Sequence, residues 1–207
     1  LKGLTTARQN YSNNTSGVEY GFQIEATSAT KSSLSLIRSS NDANDGGIFI
    51  GKTRSTSVGG NTAVQAGDDL GTITFGGADG TSLLFGAEIL AEVQSGVGND
   101  DMPTALIFKT NGGSTSTAER LRIRSDGAMS AKRSAGAAFE LLRNTATTGT
   151  TDKLGEIIFG SADWDSSTAS IISFQDGAKD KGSLTFHTQA AVGPGIQERL
   201  RITSGGQ

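Results

Sequence analysis

Apolar residues recur at every second position in short blocks along the chain. Ile73 and Phe75 share one side of "LGTITFGGAD" (70–79), and Ile157 and Phe159 share one side of "LGEIIFGSAD" (154–163). Leu106 goes with Phe108, Leu184 with Phe186, Leu121 with Ile123, and Leu200 with Ile202. A period of two belongs to a strand with one buried face, so these blocks are predicted strands and these residues the predicted structural core. Between them stand "NDANDGG" (41–47), "GGADGT" (76–81) and "GVGNDDMP" (96–103), whose Gly, Asn and Asp tolerate the positive φ of tight turns. "GAEILAEVQ" (86–94) also fits a helix by propensity, with Ile89, Leu90 and Val93 on one side. Its counterpart "ASIISF" (169–174) is strand-like, and both are assigned as strands. Residues 127–138, "GAMSAKRSAGAA", are weakly patterned and leave room for a helical turn.

The blocks recur in the same order, which makes a long internal repeat. "LSLIR" (34–38) answers "FELLR" (139–143), and "LGTITFGGAD" answers "LGEIIFGSAD". "AEILAEVQSG" (87–96) answers "ASIISFQDG" (169–177), and "ALIFKT" (105–110) answers "SLTFHT" (183–188). "ERLRI" then stands at 119–123 and again at 198–202. A catalytic motif is seldom needed twice in a small chain, whereas a building block often is. The expected division is a lead-in or attachment segment at 1–24, a first β repeat at 25–130 with an inserted loop at about 48–69, and a second β repeat at 131–207. The second repeat stops at "SGGQ", where the first continues, so it is expected to be truncated and the chain to be a segment of a longer protein.

Composition alters this picture in one respect. The chain is only 34% hydrophobic, against a usual ~45–50%, and it carries 29 Gly. Ordering 207 residues with so little apolar surface is difficult for one chain alone, so burial between chains is expected. The net charge of −3 speaks against general nucleic-acid binding, which wants a basic face. No apolar run approaches the ~20 residues that span a bilayer, so no membrane insertion is expected. With no Cys there is no disulfide, thiolate metal site or thiol nucleophile.

Candidate chemistry is thin. In "ERLRIR" the Leu and Ile point inward, which sends Arg120, Arg122 and Arg124 to the other side. Arg120, Arg122, Arg199 and Arg201 are expected in surface or interchain ion pairs, with an anionic-glycan patch as the alternative. Arg38 and Arg143 call for the same reading. His187 is the single histidine, expected at a surface or interface; one His without Cys makes no ordinary zinc site. Carboxylate pairs occur at Asp42/Asp45, Asp68/Asp69, Asp100/Asp101 and Asp163/Asp165. Glycosidases need such pairs and calcium takes Asp-rich loops, yet all four lie in turn-like sequence where Asp serves the backbone. Trp164 can stack on a sugar or cap a core, and the structural role is favoured. No G-x-S-x-G elbow is present, and no Gly-rich string leads from a strand into a helix. No catalytic residue, metal or cofactor is therefore expected, and the chain is expected not to be an enzyme.

The string "GKTRSTSVGGNTAVQAGDDLGTITFGGADGT…AEILAEVQSGVGNDDMPTALIFKTNGGSTSTAERLRIRSDG" resembles a repeat of bacteriophage tail-fibre and related virion proteins, commonly found upstream of a self-cleaving intramolecular chaperone domain. The resemblance runs from about Ser33 to Gly127 and, shortened, from about Phe139 to Gly205. It departs after Gly127, where "AMSAK" replaces the family's apolar "V-x-I-G" stretch, and the chaperone domain is missing. The resemblance implies an all-β, elongated, tandem-repeat fibre segment, built as a β-sandwich, β-prism or triple β-helix, and homotrimeric. It implies a place in the virion, on an extracellular tail appendage, beside other tail proteins, presenting a tip that binds the host receptor. The alternatives are a lectin-like module that takes a host surface glycan through the 48–69 loop, a capsid-mounted fibre, and a polysaccharide-degrading spike.

Overall fold

A computed structural model describes Ile24, Thr27, Ser28 and residues 31–143, 152–161, 165–177, 181–190 and 195–206. The expected lead-in at 1–24, apart from Ile24, and Trp164 and Asp163 lie outside the described residues. The chain divides into two compact units, Leu1–Ala137 and Ala138–Gln207.

The described residues form strands and turns, with no helix. The first unit holds β1 (Asp69–Ala78), β2 (Leu83–Val93), β3 (Thr104–Asn111), β4 (Thr117–Ile123) and β5 (Met129–Ala131), an antiparallel sheet in the order β1-β2-β3-β4-β5. The second holds β6 (Lys153–Ser161), β7 (Asp165–Gln175), β8 (Gly182–Gln189) and β9 (Ile196–Ile202), in the order β6-β7-β8-β9. The ambiguous segment 86–94 and its counterpart 169–174 are both strand, in β2 and β7. The 127–138 stretch contains β5 and a reverse turn closed by Gly136 N–H on Arg133 O, so no helical turn forms there.

Asp and Asn close the hairpins by accepting backbone N–H groups. Asp79 Oδ1 takes those of Thr81 and Ser82 at 2.7 Å each. Asn111 Oδ1 takes those of Gly113 and Ser114, and Asp126 Oδ1 takes that of Ala128. Gly80, Gly113 and Gly127 carry the positive φ these turns demand.

Bulges recur at equivalent points of the two sheets. The register shifts between Asp69 and Gly71, around Phe75 and Gly76, and between Phe108 and Lys109. It shifts again between Lys153 and Gly155, between Phe159 and Ser161, and between Phe186 and His187. The two units therefore repeat irregularities as well as strands.

Candidate functional site

Cross-strand register sorts each sheet into two faces. Ile73, Ile89, Phe108 and Leu121 stand in one row, with Phe75 beside Ala87, and Leu106 between Ala91 and Ile123. Ile157, Ile171, Phe186 and Leu200 repeat the row, with Phe159 beside Ala169, and Leu184 between Ser173 and Ile202. All twelve residues expected as core thus share one face of their sheet. Within the single chain, however, that face is open: Ile73 is 48% exposed, Phe75 56%, Ile157 45% and Phe159 51%. Phe108, Leu121, Ile123 and Phe186 are half-buried by their neighbours. At roughly 200 Å² for a large side chain, each face presents on the order of 500 Å² of apolar surface. The largest patch of a typical monomer is about 300–600 Å², and here one chain carries two.

Val93 is buried at the end of the apolar row, but most side chains buried within the sheets lie on the opposite, charged face. Leu90, Ala105 and Ile107 cluster there in the first sheet, and Ile172, Ser183 and Thr185 in the second. Ile107 is only 1% exposed because arginine covers it. On a regular strand residues three apart face opposite ways. The bulge at Arg120 adds one residue to β4, so Glu119 and Arg122 come to one face. Arg122 then bonds Glu119 on its own strand at 2.8 Å and reaches across β3 to Glu92 on β2 at 2.8 Å. Its stem and guanidinium form a strap over Ala105 and Ile107. Arg201 repeats this, bonding Glu198 at 2.6 Å and Ser183 at 3.1 Å, with its guanidinium 5.8 Å from the Phe174 ring centroid. Arg122, with Lys132 behind it, holds the Glu119 carboxyl down to about 2, against a partial burial that works the other way.

Arg122 and Arg201 thus make ion pairs, as expected, and the correction concerns direction alone. Arg122 and Arg201 are engaged within their own chain. Arg120 and Arg199 do not share their direction: they sit at the bulges and donate to Thr110 and Thr188, which belong by register to the apolar side. Neither has a carboxylate within ion-pair distance among the described residues.

A second repeated device seats an incoming segment on the apolar face. A Cβ at Gly71 would lie 2.2 Å from Ile50 Cγ2, and one at Gly155 would lie 2.9 Å from Leu141 Cβ. Each glycine thus admits a segment crossing directly above it. Just beyond the crossing, Lys52 and Arg54 pair with Asp68 at 2.9 and 2.7 Å, and Arg143 pairs with Asp152 at 3.3 Å. By these contacts 139–143 occupies the place of 48–52, whereas the sequence repeat aligns it with 34–38. Asp68 is buried, and Arg54 first, then the Gln65 N–H and Lys52, hold its carboxyl well below the usual range. The cations of the 48–69 loop are thereby committed to anchoring that loop. Sequence reasoning saw Asp68 only as half of an acidic pair; the Lys-x-Arg upstream was the signal for its partners.

The remaining candidates resolve into structural contacts. Asp42 takes both Arg38 nitrogens at 2.6 Å and caps the 39–45 turn through the Asn44 N–H. Asp100 adopts a positive φ of 55° beside the Gly98–Asp101 bridge. Ser170, His187 and Glu198 stand in line across β7, β8 and β9. His187 Nε2 shares its hydrogen bond with Thr185 Oγ1 at 2.9 Å, and among the described residues the buried Ser170 hydroxyl has no hydrogen-bond partner, His187 included. Among the described residues no group of three His, Asp or Glu side chains is placed to hold a metal ion.

No family model and no curated protein matches the chain. The structure is similar to two solved structures of the carboxy-terminal domain of the bacteriophage T5 L-shaped tail fibre. The one with its intramolecular chaperone domain has 10% identity and a TM-score of 0.41, over 84% of this chain and 61% of that one. The chain thus spans under two thirds of the length of that solved chain, chaperone domain included. The other has 11% identity and a TM-score of 0.38, over 91% of this chain and 89% of that one.

Proposed function

We propose that the chain is a shaft segment of a bacteriophage tail fibre or spike, assembled as a homotrimer in which copies of each sheet turn their apolar faces to a common axis. The observation that carries this reading is the duplicated open apolar face. Two such faces give each chain on the order of 1,000 Å² to bury, against about 800 Å² per partner in a standard interface. The repeat resemblance supplies the address on a tail appendage. Its work is mechanical: the segment holds a host-recognition tip away from the virion, alongside other tail proteins, and supports attachment without catalysing a reaction. The charged faces, strapped by Arg122 and Arg201, meet solvent.

Gold-labelled antibodies against this segment, applied to the virions that carry it, test the address. Label along a tail appendage, with loss of host adsorption when the antibody is in excess, is expected. Label on the capsid moves the fibre to another mount. Saturable binding of a host glycan by the segment alone moves it to the lectin-like reading, and oligosaccharide release moves it to the depolymerase.

A further inference from the structure

The segments crossing Gly71 and Gly155 are apolar on more than the side that meets their sheet. Ile50 and Leu141 are the seated residues. Phe49, next to Ile50, is 96% exposed, and Phe139 is 82% exposed. Ile48 and Leu142 are exposed as well. Among the described residues these stretches make no strand ladder, so their backbone groups are also open. An unladdered segment with bare aromatic rings is not stable against water by its own contacts. It is held at one end by the Asp68 and Asp152 ion pairs and presented at the other.

We propose that 48–50 and 139–142 are interchain anchors, with Phe49 and Phe139 inserting into the apolar face of a second copy of this chain. The inference deepens the homo-oligomer reading and rests on it. Three observations name the occupant. Each unit carries one anchor and one open face, so donors and acceptors are equal in number, as a closed ring of copies requires. The anchor adjoins the face assigned to the interface, which makes the two surfaces continuous. Beside the crossing in the second unit an open concavity of about 410 Å³, lined mostly by aliphatic side chains such as Leu141, Ile157 and Leu184 with Arg143, Glu156 and Ser173 among them, is predominantly apolar and roomy enough for an aromatic ring.

A benzophenone-bearing phenylalanine analogue placed at Phe49, and separately at Phe139, in the full chain tests this. The same analogue at Thr72, on the charged face, is the control. Irradiation followed by a denaturing gel is expected to give covalent species of two and three chains from positions 49 and 139 and none from 72. Their cross-linked peptides are expected to map to β1–β3 or β6–β8 at apolar-face residues. An analogue that blocks assembly at 49 or 139 but not at 72 also supports the anchor, since a ring free in solvent tolerates added bulk. If light scattering shows an assembly but the cross-links stay within one chain or reach the charged face, the anchors are overturned and the homo-oligomer stands. A single-chain mass overturns both.

Discussion

Arg122 and Arg120 are two positions apart and have different work. Arg122 satisfies Glu119 and Glu92 and covers Ile107, so Arg122→Ala leaves Glu92 without its cation and Glu119 with Lys132 alone, over a bared core. We expect a loss of about 2–3 kcal/mol in denaturant unfolding. Arg120→Ala, which removes one bond to Thr110, is expected to lose less than about 1 kcal/mol. Equal losses would remove the strap. The same pair sets a pH dependence. Glu119 titrates near 2 in the fold and near 4.5 when free, so its contribution is complete above the free value and disappears as pH falls through the folded one. Asp68, depressed by Arg54 and Lys52, acts in the same direction. Melting temperatures followed by circular dichroism should be flat above pH 5 and fall between about 4.5 and 2. A melting temperature unchanged across that window would contradict this assignment.

At the scale of the strand, "LG" recurs because the glycine is a crossing point and the residue before it is absorbed in a bulge. Gly155→Val puts atoms where Leu141 lies, and is expected to destabilise by about 1–3 kcal/mol in denaturant unfolding. Gly77→Ala meets nothing within 4 Å and is expected to change stability by less than about 1 kcal/mol. If the two behave alike, the crossing is not what fixes Gly155. The strands were legible from alternation because one face of each sheet is apolar at nearly every position: counting Ile73 with Phe75, or Leu121 with Ile123, finds that face directly. The bulges were not legible. A strict period of two places Arg120 with Arg122 and sets Glu119 against Arg122, and one inserted residue reverses both. Nor does alternation say what covers a face. Leu90 and Ile107 lie on the side that counting calls polar, and they are buried because long charged side chains reach across three strands.

On the scale of the whole molecule, the apolar faces that alternation marks as core are left largely open by the described residues of the chain that carries them. If copies of the chain cover them, charges placed there act on assembly before they act on the sheet. Phe75→Asp combined with Phe159→Asp should reduce the assembly to single chains and retain the strand signal in circular dichroism. The Thr72→Asp and Thr74→Asp double variant, which alters the charged face, should assemble as the native protein does. The most direct test is the mass in solution, by light scattering coupled to gel filtration, before and after heating. A mass near three times the 21.2 kDa chain that persists on heating is expected. A stable, soluble single chain with Phe75 and Phe159 in water would contradict it.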